Sequence, residues 1–291
     1  MHVRFRAAAT AAAILACVAL SVSKGESQSL PAAAPSPAPS PSAAPNPIGP
    51  ALGANDPCTS ISAIVTRPSV TNSVCTVRPN HVSIETGYVN ATSSDGGGNT
   101  VTYPNALIRV GTAIPALEVQ FAPPSLIRTN AGGATVASSD VAFGLKYVFG
   151  YTAKFNYGGQ INVTAPTGLN GGSSNGTNAT YALNLGYTLS PVFSLASTLA
   201  TSSVTNGVQR WTSFAPTLVL GASLPGSSGV FAEVATFSNA TGPASATRTQ
   251  YLYGVYRDLG PRLQVDASSA FSPTAATGRY HTVGFGVSYY F

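Results

Sequence analysis

The chain has 291 residues and is 44% hydrophobic but only 8% charged, against roughly 25% charged in ordinary globular domains. Gly, Ser, Thr, Ala and Asn fill the deficit, which excludes an ordinary soluble domain with a charged surface. The formal charge of +5 falls to +2 once Arg4, Arg6 and Lys24 are set aside, leaving eleven basic against nine acidic residues, and no basic cluster interleaves with aromatics, which excludes a nucleic-acid partner.

His2, Arg4 and Arg6 precede an uncharged apolar run, residues 7–23, ended by Lys24 and Glu26. This is the pattern of a secretory signal peptide over residues 1–29, cut within 19–29. Further apolar residues follow Cys17, which argues against lipid attachment there. Residues 30–55 are rich in Pro, Ala and Ser. They predict a disordered, extended spacer, either a passive tether or a periplasmic segment spanning toward the cell wall.

Residues 56–80 hold Cys58 and Cys75, the remaining cysteines after Cys17. An even pair in an exported chain predicts a disulfide. It closes a loop of about 18 residues, worth roughly 3 kcal/mol on the loop-entropy model. The expected product is a small periplasmic segment, stapled because it lacks a core, at the rim or inside the mouth of whatever follows.

From His81 onward the chain reads as about twelve strands, near 81–91, 100–111, 116–122, 140–149, 152–165, 179–189, 192–202, 212–224, 229–237, 249–257, 262–271 and 280–291. Most have the ~9–11 residues that a tilted strand needs to cross a bilayer. Short turns at 112–115, 150–151, 190–191, 225–228 and 258–261 alternate with long Gly/Ser/Asn-rich loops at 92–99, 123–139, 166–178, 203–211, 238–248 and 272–279. That alternation predicts an all-β, up-and-down transmembrane barrel spanning 81–291, both ends on the short-turn, periplasmic side. A solenoid would repeat at a fixed period instead.

Period-two alternation assigns two faces. Val141, Phe143, Leu145, Tyr147 and Phe149 oppose Asp140, Ala142, Gly144 and Lys146. Phe155, Tyr157, Ile161 and Val163 oppose Lys154, Asn156, Gln160, Asn162 and Thr164. Leu263, Val265, Ala267 and Phe271 oppose Gln264, Asp266 and Ser268. Each charge falls on the polar parity, as it must if the other face meets lipid, where Lys or Arg near the midplane costs ~2–4 kcal/mol.

Glu85, Arg109, Glu118, Lys146, Lys154, Glu233 and Asp266 are therefore expected to line the lumen, either pairing to satisfy a buried interior or forming a polar constriction that filters solutes. Arg109 and Glu118 are expected to pair across a short turn. Tyr147, Phe149, Tyr187, Tyr289 and Phe291 cluster at short-turn strand ends, as an aromatic girdle does. The ending RYHTVGFGVSYYF resembles the closing strand of bacterial outer-membrane barrels, in which the aromatic end, here Tyr289 and Phe291, serves as the signal for the barrel-assembly machinery.

Six segments together resemble one family. They are PNALIRVGT (104–112), ALEVQF (116–121), SDVAFGLKY (139–147), NVTAPTG (162–168), RLQVDA (262–267) and GFGVSYYF (284–291). The family is the outer-membrane barrel group labelled transporters of the MetA phenol-degradation pathway. The resemblance covers about residues 85–291 and implies that Arg109, Glu118, Lys146 and Asp266 occupy recurrent family positions. It also implies uptake of small, aromatic or hydrophobic solutes. Val110 stands where the family has an aromatic residue, and residues 30–80 are additions.

An enzyme has little support. His81 and His281 are the histidines beyond the leader, and no HExxH, no Cys/His metal spacing and no nucleotide loop is present. No cofactor or metal is implied. The expected function is a passive outer-membrane channel, whose partners are outer-membrane lipid, the assembly machinery and a small solute. The alternative is a non-conducting structural or adhesive barrel.

Overall fold

The computed structural model describes residues 55–94, 98–273 and 279–291. The predicted signal peptide and most of the spacer lie outside the described residues. What is described begins with a short helix, α1 (Ile61–Ile64), and continues as strands.

Fifteen strands form one antiparallel sheet that closes on itself through β15 (Tyr280–Tyr290) and β1 (Val82–Ser93). Their register runs from Ser83 opposite Tyr290 to Ser93 opposite Tyr280. Nine strands are single staves of the wall: β7 (Val141–Tyr151), β8 (Phe155–Ala165), β9 (Asn178–Thr188), β10 (Phe193–Thr205), β11 (Arg210–Leu224), β12 (Ser228–Phe237), β13 (Arg248–Asp258), β14 (Leu263–Ser272) and β15. With β1, β3 (Leu107–Gly111) and β4 (Leu117–Ala122) they make a closed barrel of twelve staves. Closure gives each of the twelve staves a hydrogen-bonded neighbour on both sides, as a bilayer demands of strands.

The staves near β1 are divided. β2 (Asn99–Tyr103) continues the line of β3, and both pair with β1. Pro104, which has no N–H to give a ladder, separates them. Residues 123–139, expected as a loop, contain a hairpin instead: β5 (Leu126–Asn130) pairs with β2 and with β6 (Ala134–Ser138). Leu126–Asn130 is too short to declare itself by periodicity, and β2 supplies the partner that makes it a strand. Pro123 and Pro124 divide it from β4. The loop expected at 203–211 also shrinks, to 206–209, because β10 and β11 run to 13 and 15 residues.

The connections at 112–116, 152–154, 189–192, 225–227 and 259–262 are short and share one end of the barrel with the carboxyl terminus. The outer face is apolar. Phe143, Leu145, Phe149, Ile161, Tyr181, Leu218, Val255 and Phe285 are each about half exposed. Their parity partners Lys146, Gln160, Asn184, Thr217 and Asp266 are buried. Tyr147, Phe149, Phe155, Tyr157, Tyr289 and Phe291 gather on the outer face at the short-turn end, in contacts such as Tyr289 edge-on to Phe291 at 4.6 Å.

Candidate functional site: the filled lumen

The stapled segment is not a separate element at the rim. It lies inside the barrel, and the inward-facing side chains hold it there. Ser60 caps α1, accepting from Ala63 N at 3.2 Å. Ile61 and Ile64, three apart and so on one helix face, pack with Cys58, Val65, Cys75 and Val77 against Tyr290. Cys58 and Cys75 are disulfide-bonded, Cα to Cα 5.4 Å. This small apolar cluster needs the barrel wall to complete it, and Tyr290 supplies that part. Tyr290 Oη also accepts from Arg78 N at 3.0 Å, and Arg78 reaches Asp56 and Cys58 O within the segment.

Arg109 is the hub of the lumen and is wholly buried. Its guanidinium donates to Glu118 in a fork, Nε to Oε1 at 2.8 Å and Nη2 to Oε2 at 2.9 Å. It also donates to Glu85 Oε1 at 2.8 Å, to Cys75 O at 2.8 Å and to Ile64 O. The register sets Arg109 opposite Gln120 and Glu118 opposite Gly111, so the pair is diagonal rather than directly opposed. Lys146, on the neighbouring β7, donates to Cys75 O at 2.9 Å. Two cations of the wall thus grip one carbonyl of the stapled segment.

The carboxylates grip its N–H groups. Glu118 Oε2 accepts from Val77 N at 2.7 Å. Glu85 Oε2 accepts from Thr66 N and Arg67 N at 3.0 and 3.1 Å. Glu233 accepts from Ser69 Oγ, Val70 N, Thr71 N and Thr71 Oγ1, all within 3.0 Å. Thr198 Oγ1 takes Asn72 N at 2.9 Å. Asp266 meets Arg67 at 3.4 Å. A buried carboxylate without partners is costly. Here the segment's own backbone donors, which no ladder uses, satisfy the wall's acids, and each side meets the other's need.

Glu85, Arg109, Glu118, Lys146, Glu233 and Asp266 are therefore brought together around one object. Lys154 is not among them. It is exposed in the 152–154 turn, where Thr152 Oγ1 accepts from Lys154 N and Phe155 N. The parity that placed it in the lumen does not extend past the start of β8. Sequence reasoning missed Arg67, Thr71, Arg78 and Tyr290. The available signal was the run of unspent polar and apolar groups in 61–78, too many for a free loop.

Room for Arg67 comes from two glycines. Gly87 and Gly286 face each other across the β1–β15 closure. A Cβ on either would collide with the Arg67 guanidinium. Beside it, on the side of the lumen toward the long loops, is a cavity of about 300 Å³. The segment 66–70 bounds it together with residues of β1, β13, β14 and β15, the break at Asn105 and Ala106, and Leu107 of β3.

The sequence matches no family model and no curated protein. Solved structures do share the architecture. An outer-membrane channel from Pseudomonas putida F1 aligns with TM-score 0.59 and 12% identity over 73% of this chain and 96% of that one. The KdgM porin in complex with disordered oligogalacturonate gives TM-score 0.51 and 10% identity over 71% and 98%. The NanC porin gives 0.51 and 9% over 72% and 98%. At such identity the likeness establishes the fold alone: a closed antiparallel β-barrel.

Proposed function

We propose that the chain is an outer-membrane channel for passive uptake of small solutes, filtered by the stapled segment in its lumen. The observation that supports this reading is the closed twelve-stave wall with an apolar outer face and a polar, hydrogen-bonded interior. Hydrocarbon outside and polar groups inside is the arrangement a bilayer demands of strands. In this reading the short-turn end faces the periplasm and the long loops face outward. The spacer would then run toward the cell wall, and the closing strand with Tyr289 and Phe291 would engage the assembly machinery.

The resemblance to the MetA phenol-degradation group extends the proposal to small aromatic or hydrophobic solutes. Glu85, Arg109, Glu118, Lys146, Glu233 and Asp266 then set selectivity indirectly, through the segment they hold. The second reading, a non-conducting structural or adhesive barrel, is favoured by one observation, the filling of the lumen by residues 61–78.

Liposome swelling with the full chain, using solutes graded in size and charge, separates the two. The channel reading expects swelling that falls as solute size rises, with matching openings in planar bilayers. Silence in both assays would leave the structural barrel.

A further inference from the structure

We propose that the luminal cavity beside Arg67 is a binding site for a compact organic carboxylate carrying a short apolar body. This rests on the channel reading, since a solute must reach the lumen to occupy it, and it adds the chemical class of that solute.

The cavity of about 300 Å³ has room for a molecule with a single small ring or a short chain. Its polar lining is rich in donors. Arg67 lines it, and of the Arg67 nitrogens Nε and Nη2 contact Asp266 while Nη2 also donates to Phe285 O at 3.1 Å. Nη1 has no partner among the described residues. Gln250 uses Oε1 to accept from Tyr280 Oη at 3.0 Å, which leaves its amide NH₂ to donate. Thr66, Ser268 and Thr282 line the same space with hydroxyls that meet no partner among the described residues.

The carboxylate in the lining is already committed. Glu85, the acid of the cavity wall, has Oε1 on Arg109 and Oε2 on Thr66 N and Arg67 N. A second anion facing unspent donors is therefore not repelled by a bare carboxylate at this wall. Asp266 holds Arg67 only at 3.4 Å, longer than a strong ionic contact. An incoming carboxylate can share the guanidinium, whose planar fork matches it. Val70, Val89, Leu107, Leu252 and Ala270 supply the apolar remainder of the wall.

A second guanidinium stands on the way in. Arg248 lies on the same wall, one inward position nearer the long loops than Gln250. It is sandwiched between Phe237 at 4.9 Å and Tyr280 at 5.1 Å. Its Nε is buried with no hydrogen-bond partner among the described residues. Tyr280 thus touches both Arg248 and Gln250 and links the outer cation to the cavity. Two cations in sequence, Arg248 on the wall and Arg67 on the inserted segment, favour the passage of an anion over a cation.

The test compares benzoate with benzamide, equal in shape and different in charge, by calorimetric titration of the full-length protein in detergent. The site predicts one saturable benzoate site, at least about tenfold tighter than benzamide, the scale of one charged hydrogen bond. Arg67→Gln should erase that preference, Arg67→Lys should restore part of it, and Ala270→Phe should block both ligands. Retention of the folded band on unheated gels checks each variant. Equal affinity for the two ligands, no saturable binding, or a preference that survives Arg67→Gln overturns the proposal. Swelling by benzoate without saturable binding sinks the site and spares the channel; saturable binding without swelling or openings does the reverse.

Discussion

Thr71 gives both its backbone N–H and its hydroxyl to Glu233, at 2.7 Å each. The two residues are 162 positions apart, and the contact joins the stapled segment to the far wall of the barrel. Glu233 spends its remaining oxygen on Ser69 and Val70. Glu233→Ala removes the shared acceptor of Val70 N, Thr71 N and the Ser69 and Thr71 hydroxyls, leaving Thr71 N only Ser69 Oγ as acceptor, and a buried donor left without an acceptor costs about 1–3 kcal/mol. The segment should dock less firmly, and planar bilayers should show more frequent openings than wild type. Identical opening statistics would show that this carboxylate does not hold the segment.

Arg109 is expected to be the most sensitive position in the lumen. Arg109→Met strands Glu85 and Glu118 in a buried site, and breaking such a cluster costs about 3–5 kcal/mol. The temperature at which the folded band disappears on a semi-native gel should drop clearly. Arg109→Lys should rescue little, because one ammonium cannot reproduce five hydrogen bonds from a planar fork.

The disulfide should matter locally. Cys58→Ser with Cys75→Ser removes a constraint worth roughly 3 kcal/mol on the loop-entropy model. Amides of 61–78 should exchange hydrogen faster, while those of β7 to β15 keep their protection. Equal loss throughout the wall would mean that the segment and barrel unfold together.

Lys154→Glu is expected to change neither conductance nor ion preference, since the side chain lies in an exposed turn. A shift in ion selectivity would return Lys154 to the conducting path.

How much of this was legible in the chain follows from the range of each signal. The two faces are local: Phe143, Leu145 and Tyr147 against Gly144 and Lys146 announce themselves within six residues, and the structure exposes the first set and buries the second. The alternation of short and long connections is nearly as local, because turn chemistry at 225–227 and 259–262 is written in Gly, Pro and Ser. The division of staves at Pro104 and Pro123 was readable in principle, but the hairpin β5–β6 depends on β2 as partner. The filled lumen was legible only in outline, as one of two expected places for the stapled segment and as the Arg109–Glu118 pair. Its contacts, such as Arg67 to Asp266, span 199 residues, and nothing near Glu233 indicates that Thr71 will arrive. Tyr290 illustrates the limit: it ends a strand that the alternation predicts, but nothing local sets it over Ile61 and Ile64.

One loop carries a pH dependence. Burial pushes the Asp140 carboxyl up, but hydrogen bonds from Ser174 Oγ, Ser174 N and Gly168 N outweigh it and hold the group below the usual carboxylate range. A depressed folded value means the clasp is fully present above the ordinary Asp range and is lost as pH falls through the folded value. Loop 166–177 should therefore resist protease at neutral pH and become labile in acid. Asp140→Asn should make it labile at neutral pH as well. Equal cleavage of both proteins would remove Asp140 as the clasp.

The central claim is that hydrocarbon wets the aliphatic side of the wall. It is tested most directly by fluorophores placed singly at Leu145, Leu183 and Leu218 in liposomes. The account predicts strong quenching by bromines carried on lipid acyl chains and almost none by aqueous iodide. Quenching by iodide with indifference to brominated lipid at these three sites would contradict it.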